Sequence, residues 1–304
     1  AMNNTSDPLD HPKLTRERRK AINDPSKLWT QKEIPFEIDY SQFTDEEIYV
    51  IFQAMDEWQQ NTCLTFRPTR EQDKNIVNFI NGKGCKSNIG MTGGVQNISL
   101  GTDFPSCVTG QTVIHEIGHA VGFFHEHSRP DRDQFVTILT NNIKYGMEYN
   151  FFKSYLIDTY GLKYDYRSIM HYFGTAFGKN HQLTIETKDP QFQNIIGYNK
   201  HLSFYDVKLV NLMYKCSQRC NPSLKCPVEG FIGRDCKCWC PGKHFQYCDG
   251  SGHISFKDSE IPTPQLCQKL SMSCRSWEEN GKCTEPTTYC PMYCRHCDRL
   301  LRQY

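Results

Sequence analysis

His115-Glu116-Ile117-Gly118-His119-Ala120-Val121-Gly122-Phe123-Phe124-His125 is the stretch whose reading decides the fold. Histidines four apart share one face of a helix, one turn above the other. Both imidazoles can then reach one divalent ion at the ~2.0–2.1 Å of a zinc–nitrogen bond. Glu116 follows the first histidine, so its carboxylate hangs beside the metal without ligating it and can reach a water there. A third ligand on the same helix would point away, so the helix must end. Gly122 takes the left-handed backbone of a helix C-terminus with little strain and lets His125 return to the ion. Three protein ligands leave a fourth position open, which is the catalytic rather than the structural arrangement of zinc. A chain of this composition holds such a pattern by chance with a probability on the order of 5 × 10⁻⁵.

Around the motif, residues 21–216 read as one α+β catalytic domain. Ile34, Phe36, Ile38 and Tyr40 alternate as in a strand with one buried face. Thr44 and Glu47 form a capping box that opens a helix with Ile48, Ile51, Phe52 and Met55 on one side. The stretches 75–80 and 96–100 read as short strands, and 112–121 as the helix that carries the motif. Ser203 and Asp206 cap a last helix bearing Val207, Val210 and Met213, which delivers Cys216.

Composition narrows the class. Lys and Arg (35) balance Asp and Glu (34) at a formal charge of +1, without the concentrated basic face that nucleic acid or an anionic membrane requires. No run approaches the ~18 apolar residues of a membrane span. There are 16 cysteines, 13 of them from Cys216 to Cys297, which points to an oxidising, extracellular setting and up to eight disulfides. The start at Ala1-Met2 shows no secretion signal, and a leader removed beforehand is the expectation. Residues 1–20 end in a basic run in which Arg16, Arg18 and Arg19 suit a secretory-pathway convertase, so this segment reads as a pro-segment remnant cut by an activating protease. After Cys216, residues 217–250 hold six cysteines, 251–266 are rich in Ser, Gly, Pro and Thr like a linker, 267–298 hold six more, and 299–304 form a tail. Neither cysteine-rich piece has enough apolar residues for a core of its own, so each is expected to be stapled.

The run from His115 to Asp133, HEIGHAVGFFHEHSRPDRD, matches HExxHxxGFxHExxRxDRD at every fixed position and resembles the signature of the astacin family of metzincin zinc endopeptidases. Ser168-Ile169-Met170-His171-Tyr172 resembles that family's Met-turn. The resemblance covers about two-thirds of the chain. It implies a zincin-type domain of two lobes, with a mixed twisted sheet and an active-site helix. It further implies that His115, His119 and His125 ligate one Zn²⁺ and that Glu116 is the general base and later the general acid. Met170 would form an apolar floor under the histidines, and Tyr172 would be a displaceable further ligand that swings away to hydrogen-bond the transition state. The implied reaction is hydrolysis of extended protein or peptide substrates, extracellular-matrix proteins among them, by a secreted enzyme made as a zymogen.

In the family, Glu126 pairs with the new N-terminal amine of the processed enzyme, and Ala21-Ile22-Asn23-Asp24 resembles the start of some mature members. The present sequence is thus expected to be an uncut or partly truncated proform, in which that amine has not been released. The Phe-x-Gly-Asp motif of family pro-segments is absent from residues 1–19, where Asp7 and Asp10 stand without that context, and this argues against zinc blockade by the remnant.

The resemblance implies the pairs Cys63–Cys216 and Cys85–Cys107. Residues 217–250 resemble an EGF-like module, implying Cys220–Cys236, Cys226–Cys238 and Cys240–Cys248. Residues 267–298 resemble an ShK toxin-like module, implying Cys267–Cys297, Cys274–Cys290 and Cys283–Cys294, with a docking partner that the sequence does not name. A zinc knuckle built on Cys236, Cys238, Cys240, Cys294 and Cys297 is the rival reading of the tail. A channel-blocking role is disfavoured, because the segment between Cys283 and Cys290 has no lysine. An inactive, adhesive relative would need a lost ligand or base, and none is lost. Asn97-Ile98-Ser99 is a glycosylation sequon set in an expected strand, and Asn3 and Asn4 open two more.

Overall fold

The computed structural model describes residues 21–248, apart from 23, 156, 228 and 243–245, together with 254–256. Arg16, Arg18 and Arg19, the ShK-like stretch and its pairs Cys267–Cys297, Cys274–Cys290 and Cys283–Cys294 lie outside the described residues.

A two-residue strand, β1 (Ala21–Ile22), opens the described chain. A five-stranded sheet follows, made of β2 (Glu33–Ile38), β3 (Thr65–Pro68), β4 (Ile76–Ile80), β5 (Cys85–Lys86) and β6 (Val95–Leu100) in the order β3-β2-β4-β6-β5. Three neighbouring pairs run parallel, with Phe36 opposite Val77 and Phe79 opposite Ile98; β5 is antiparallel to β6. The alternation from Ile34 ends at Ile38, so Tyr40 lies beyond the strand. α1 (Asp45–Asn61) begins at the Thr44–Glu47 capping box and buries Ile48, Ile51, Met55 and Trp58; Phe52 is only partly buried. α2 (Gly110–Ala120) starts two residues earlier than the periodicity suggests, because Thr109 caps it by accepting the Thr112 N–H.

Past α2 the chain builds a second, smaller unit. It consists of short 3₁₀ turns and the antiparallel pair β7 (Val136–Ile138) and β9 (Ile185–Thr187), while β8 (Ile157–Asp158) pairs back onto β1. α3 (Phe204–Met213) begins at the Ser203–Asp206 capping box. Cys216 just beyond it is bonded to Cys63, and Cys85 on β5 is bonded to Cys107.

The segment after Cys216 folds as an antiparallel sheet of β10 (Phe231–Ile232), β11 (Cys238–Cys240), β12 (Gln246–Cys248) and β13 (Ile254–Phe256). It carries the disulfides Cys220–Cys236, Cys226–Cys238 and Cys240–Cys248. The structure adds two features to that reading. Ile254–Phe256, within the stretch 251–266, forms a strand paired with β12. The module is also more than stapled: Phe231 and Trp239 are buried within the same hydrophobic cluster as Trp58, Phe79 and Ile117. Phe231 packs on Phe204 of α3 at 5.5 Å. The module thus borrows the core of the catalytic domain. The disulfides that hold Cys236, Cys238 and Cys240 leave them no thiolates for a zinc knuckle. Among the described residues, no helix is long and apolar enough to cross a membrane.

Candidate metal centre and active site

α2 is held by side chains of other elements. Met170 packs directly beneath it, since a Cβ on Gly118 would come within 2.6 Å of the Met170 sulfur. The Trp58 ring meets the same Gly118 position at 3.4 Å, and its indole N–H reaches the Ile114 carbonyl at 3.2 Å. The carbonyls at the end of the helix, which lack intrahelical partners, are taken up by distant residues. Trp29 Nε1 donates to Ala120 O, Tyr214 Oη to Val121 O, and the Gly90 N–H to His119 O, each at 2.8–2.9 Å. Gly122 then turns the chain at φ +114°, a conformation that a side chain would resist.

That turn completes a tripod. His125 Nε2 lies 3.2 Å from both His115 Nε2 and His119 Nε2. Three nitrogens each ~2.05 Å from a tetrahedral zinc would stand about 3.3 Å apart, so the spacing fits one ion. The outer nitrogens are fixed by backbone. His115 Nδ1 donates to Ile169 O and His119 Nδ1 to Phe123 O, both at 2.8 Å, which turns the Nε2 lone pairs inward. Burial, and for His119 and His125 the neighbouring imidazoles, hold all three rings below the usual histidine range, His119 down to about 3. Neutral imidazoles crowded in this way are ligands waiting for a cation.

Glu116 is buried beside the tripod. Its Oε2 has no hydrogen-bond partner among the described residues, and burial pushes its carboxyl up to about 8. An unpartnered buried carboxylate oxygen is costly unless a water, a cation or a substrate completes it. Tyr172 packs against His125 with ring centroids 4.4 Å apart and the planes tilted by 53°. Burial, followed by the proximity of Glu116 and Tyr149, raises its phenol, which stays a hydrogen-bond donor at neutral pH.

The turn that carries Met170 and Tyr172 is anchored by a residue that the sequence reading used only as a helix cap. Asp206, wholly buried, accepts from Ser168 Oγ at 2.6 Å and from the Ile169 N–H at 2.8 Å, and also caps α3 through the Ser203 N–H at 3.1 Å. Ile169 O in turn orients His115, so one carboxylate ties the last helix to the first ligand. His171 was missed as well. Its Nδ1 donates to Tyr172 O at 2.6 Å and its Nε2 accepts from Tyr164 Oη at 2.8 Å.

Glu126 lies in the interior. It is fully buried, with Arg129 Nη1 at 3.1 Å and the Asp165 N–H at 2.8 Å from Oε1. Arg129 also grips Asp131 through two bonds of 2.9 Å. Ala21 is wholly buried, bridges to Phe123, and is followed by an Ile22 N–H that donates to Gly122 O at 2.9 Å. The segment after the basic run is therefore seated against the loop that carries His125. Asn97 is exposed on β6, with its side-chain oxygen 3.4 Å from Asn78 Nδ2.

A histidine tripod on an interrupted helix, with a buried carboxylate beside it and a methionine turn beneath, is an arrangement that can hold one zinc ion with a position left open. Residues 21–215 match the peptidase family described as Astacin. The chain belongs to that family, and zinc is the metal of its site. It is 35% identical over 289 residues to Protein SpAN of Strongylocentrotus purpuratus, covering 91% of this chain and 44% of that one. It is 33% identical over 293 residues to Zinc metalloproteinase nas-6 of Caenorhabditis elegans, covering 93% and 78%. The chain spans less than half the length of SpAN and 40% of that of Blastula protease 10 of Paracentrotus lividus. Among solved structures, High choriolytic enzyme 1, a hatching enzyme zinc-protease from Oryzias latipes, is similar with a TM-score of 0.56 and 29% identity over 68% of this chain and 98% of that one.

Proposed function

We propose that the chain is a secreted zinc endopeptidase that hydrolyses peptide bonds of extended protein substrates and is made as a zymogen. The observation that carries the reading is the convergence of His115, His119 and His125 Nε2 beside the open carboxylate of Glu116. His115, His119 and His125 would hold zinc as neutral imidazoles, and the ion would supply a Lewis acid able to lower the pKa of water toward ~7 and polarise a peptide carbonyl. Glu116 then works as a base. Burial makes its carboxylate eager for a proton, while a dication nearby keeps it ionised until a water offers one. Having taken that proton at Oε2, the same carboxyl delivers it to the departing amine. The Tyr172 phenol would be a further ligand at rest and would donate its O–H to the oxyanion during turnover, a role supported by its place against His125 and its raised pKa. Met170 supplies the dry floor.

Activation by cleavage after Arg19 and trimming to Ala21 is supported by the buried seat of Ala21 near the Gly122–Phe123 turn. The new amine would join the buried Glu126 network. The pairing order of Cys220, Cys226 and Cys240 supports an EGF-like reading of 217–250. The ShK-like stretch would dock an extracellular partner, and the exposure of Asn97 suits a glycan.

Cleavage mapping with a peptide library tests the reading. Processed protein should cut the library, a chelator should abolish cleavage, and Glu116→Gln should lower kcat about 10²- to 10⁴-fold. Cleavage that survives both the chelator and the substitution would refute it.

A further inference from the structure

One buried imidazole near the tripod is used by nothing described so far. His127 is wholly buried, and its Nε2 lies 3.0 Å from the Asn150 carbonyl oxygen. A carbonyl only accepts, so Nε2 carries the hydrogen and Nδ1 is left as a bare acceptor. That Nδ1 is buried with no hydrogen-bond partner among the described residues. Were the ring only a spacer, phenylalanine would fill the place without an unsatisfied polar atom, whose desolvation costs about 1–3 kcal/mol.

The ring's neighbours suggest what it does. It lies 4.2 Å from the Tyr172 ring at 32° and 5.2 Å from the His125 ring at 22°. Tyr172 is thus bracketed by the third ligand on one side and His127 on another, with Phe177 at 5.6 Å and Phe151 at 6.2 Å completing the enclosure. The mount is rigid. Besides the Asn150 contact, the His127 carbonyl accepts from Arg132 Nη1 at 2.8 Å, and the same nitrogen donates to Phe151 O at 2.7 Å.

We propose that His127 is a positioning residue for Tyr172: its fixed ring face sets the resting place of the phenol beside the third ligand, and its open Nδ1 offers the phenol O–H an acceptor within the same enclosure. This rests on Tyr172 acting as a displaceable ligand, as argued above. The step is a conformational one, with no bond made or broken beyond a hydrogen bond.

The test uses the copper-substituted full chain, where contact between a phenolate and copper(II) produces a visible charge-transfer absorption. Tyr172→Phe is the control and should abolish the band. If the unsubstituted chain has no such band, or Tyr172→Phe leaves it unchanged, the Tyr172 reading fails and the proposal fails with it. Given the band, His127→Ala should shift it or reduce it at least about 2-fold while one metal per chain remains. In the zinc form its kcat should fall about 10-fold with KM nearly unchanged, short of the ~10²-fold loss from deleting an oxyanion donor outright. His127→Phe keeps the ring face and removes the acceptor, and its band and kcat should fall between those of the alanine variant and the parent. Bands and kcat equal to the parent's in either metal-loaded variant would overturn the proposal. Should the alanine variant not fold, the phenylalanine variant decides alone.

Discussion

Two cores border the histidine tripod, and they are built differently. The larger is made from side chains on regular elements, Trp58 on α1, Phe79 on β4, Ile98 on β6 and Ile117 on α2, all fully buried. The smaller gathers Val136, Ile143, Phe151, Tyr164, Ile185 and Ile196 from short strands, turns and loops. Around it lie buried charged and polar groups: Glu126, Arg129, Asp131, Arg132, Asp165 and His171. The first two ligands ride on the side that hydrophobic burial stabilises. The third ligand and Tyr172 are placed by the side that hydrogen bonds specify. Burial tolerates substitutions of similar volume, whereas a buried charge network fails when one member is removed.

The largest expected effect breaks the second region. Arg129→Ala removes the guanidinium shared by Glu126, Asp131 and the carbonyls of Leu162 and Lys163. It should cost about 3–5 kcal/mol by denaturant unfolding. In the first region Ile98→Val, which trims one buried methylene without stranding a charge, should cost only about 0.5–1.5 kcal/mol. Equal costs would erase the distinction.

Asp206→Asn sharpens the comparison, because this residue joins the two regions at the metal. Zinc affinity should fall about 10- to 100-fold, as for other outer-shell partners of a ligating histidine. Competition with a chromophoric chelator reads it, and an unchanged affinity would remove Asp206 from the account. Thr44→Ala, far from the tripod, should cost about 1 kcal/mol of stability by loss of the α1 cap and leave zinc affinity unchanged.

The smallest effect is a pH response on the sheet side. The Arg67 guanidinium, at 2.6 Å, holds the Asp73 carboxyl down to about 2. A depressed carboxylate stabilises the fold above its unfolded pKa of about 3.9, and that share is lost as pH falls from about 4 toward about 2. Asp73→Asn should flatten thermal stability across that window, with no difference between variant and parent in the slope counting against the pair.

Legibility follows the same division. The capping boxes at Thr44 and Ser203 and the three histidines are local patterns, readable within a few residues, and the structure places them at the ends of α1 and α3 and around one point. What could not be read depends on groups far apart in the chain. Trp29 and Tyr214 finish the end of α2 from 91 and 93 residues away. Asp206 looked like a cap and nothing more, since its second duty exists only once α3 lies against the Met-turn. The burial of Arg129 beside Glu126 could not be read either, because charge ordinarily means exposure. Phe231 and Trp239 looked too few for a core, and they are, until the catalytic domain supplies the rest.

Metal analysis of the purified protein beside a His119→Ala variant tests the central claim most directly. The account predicts one zinc per parent chain, and a variant that stays folded but loses zinc and hydrolysis together. A parent without stoichiometric zinc, or a variant that keeps both, would contradict it.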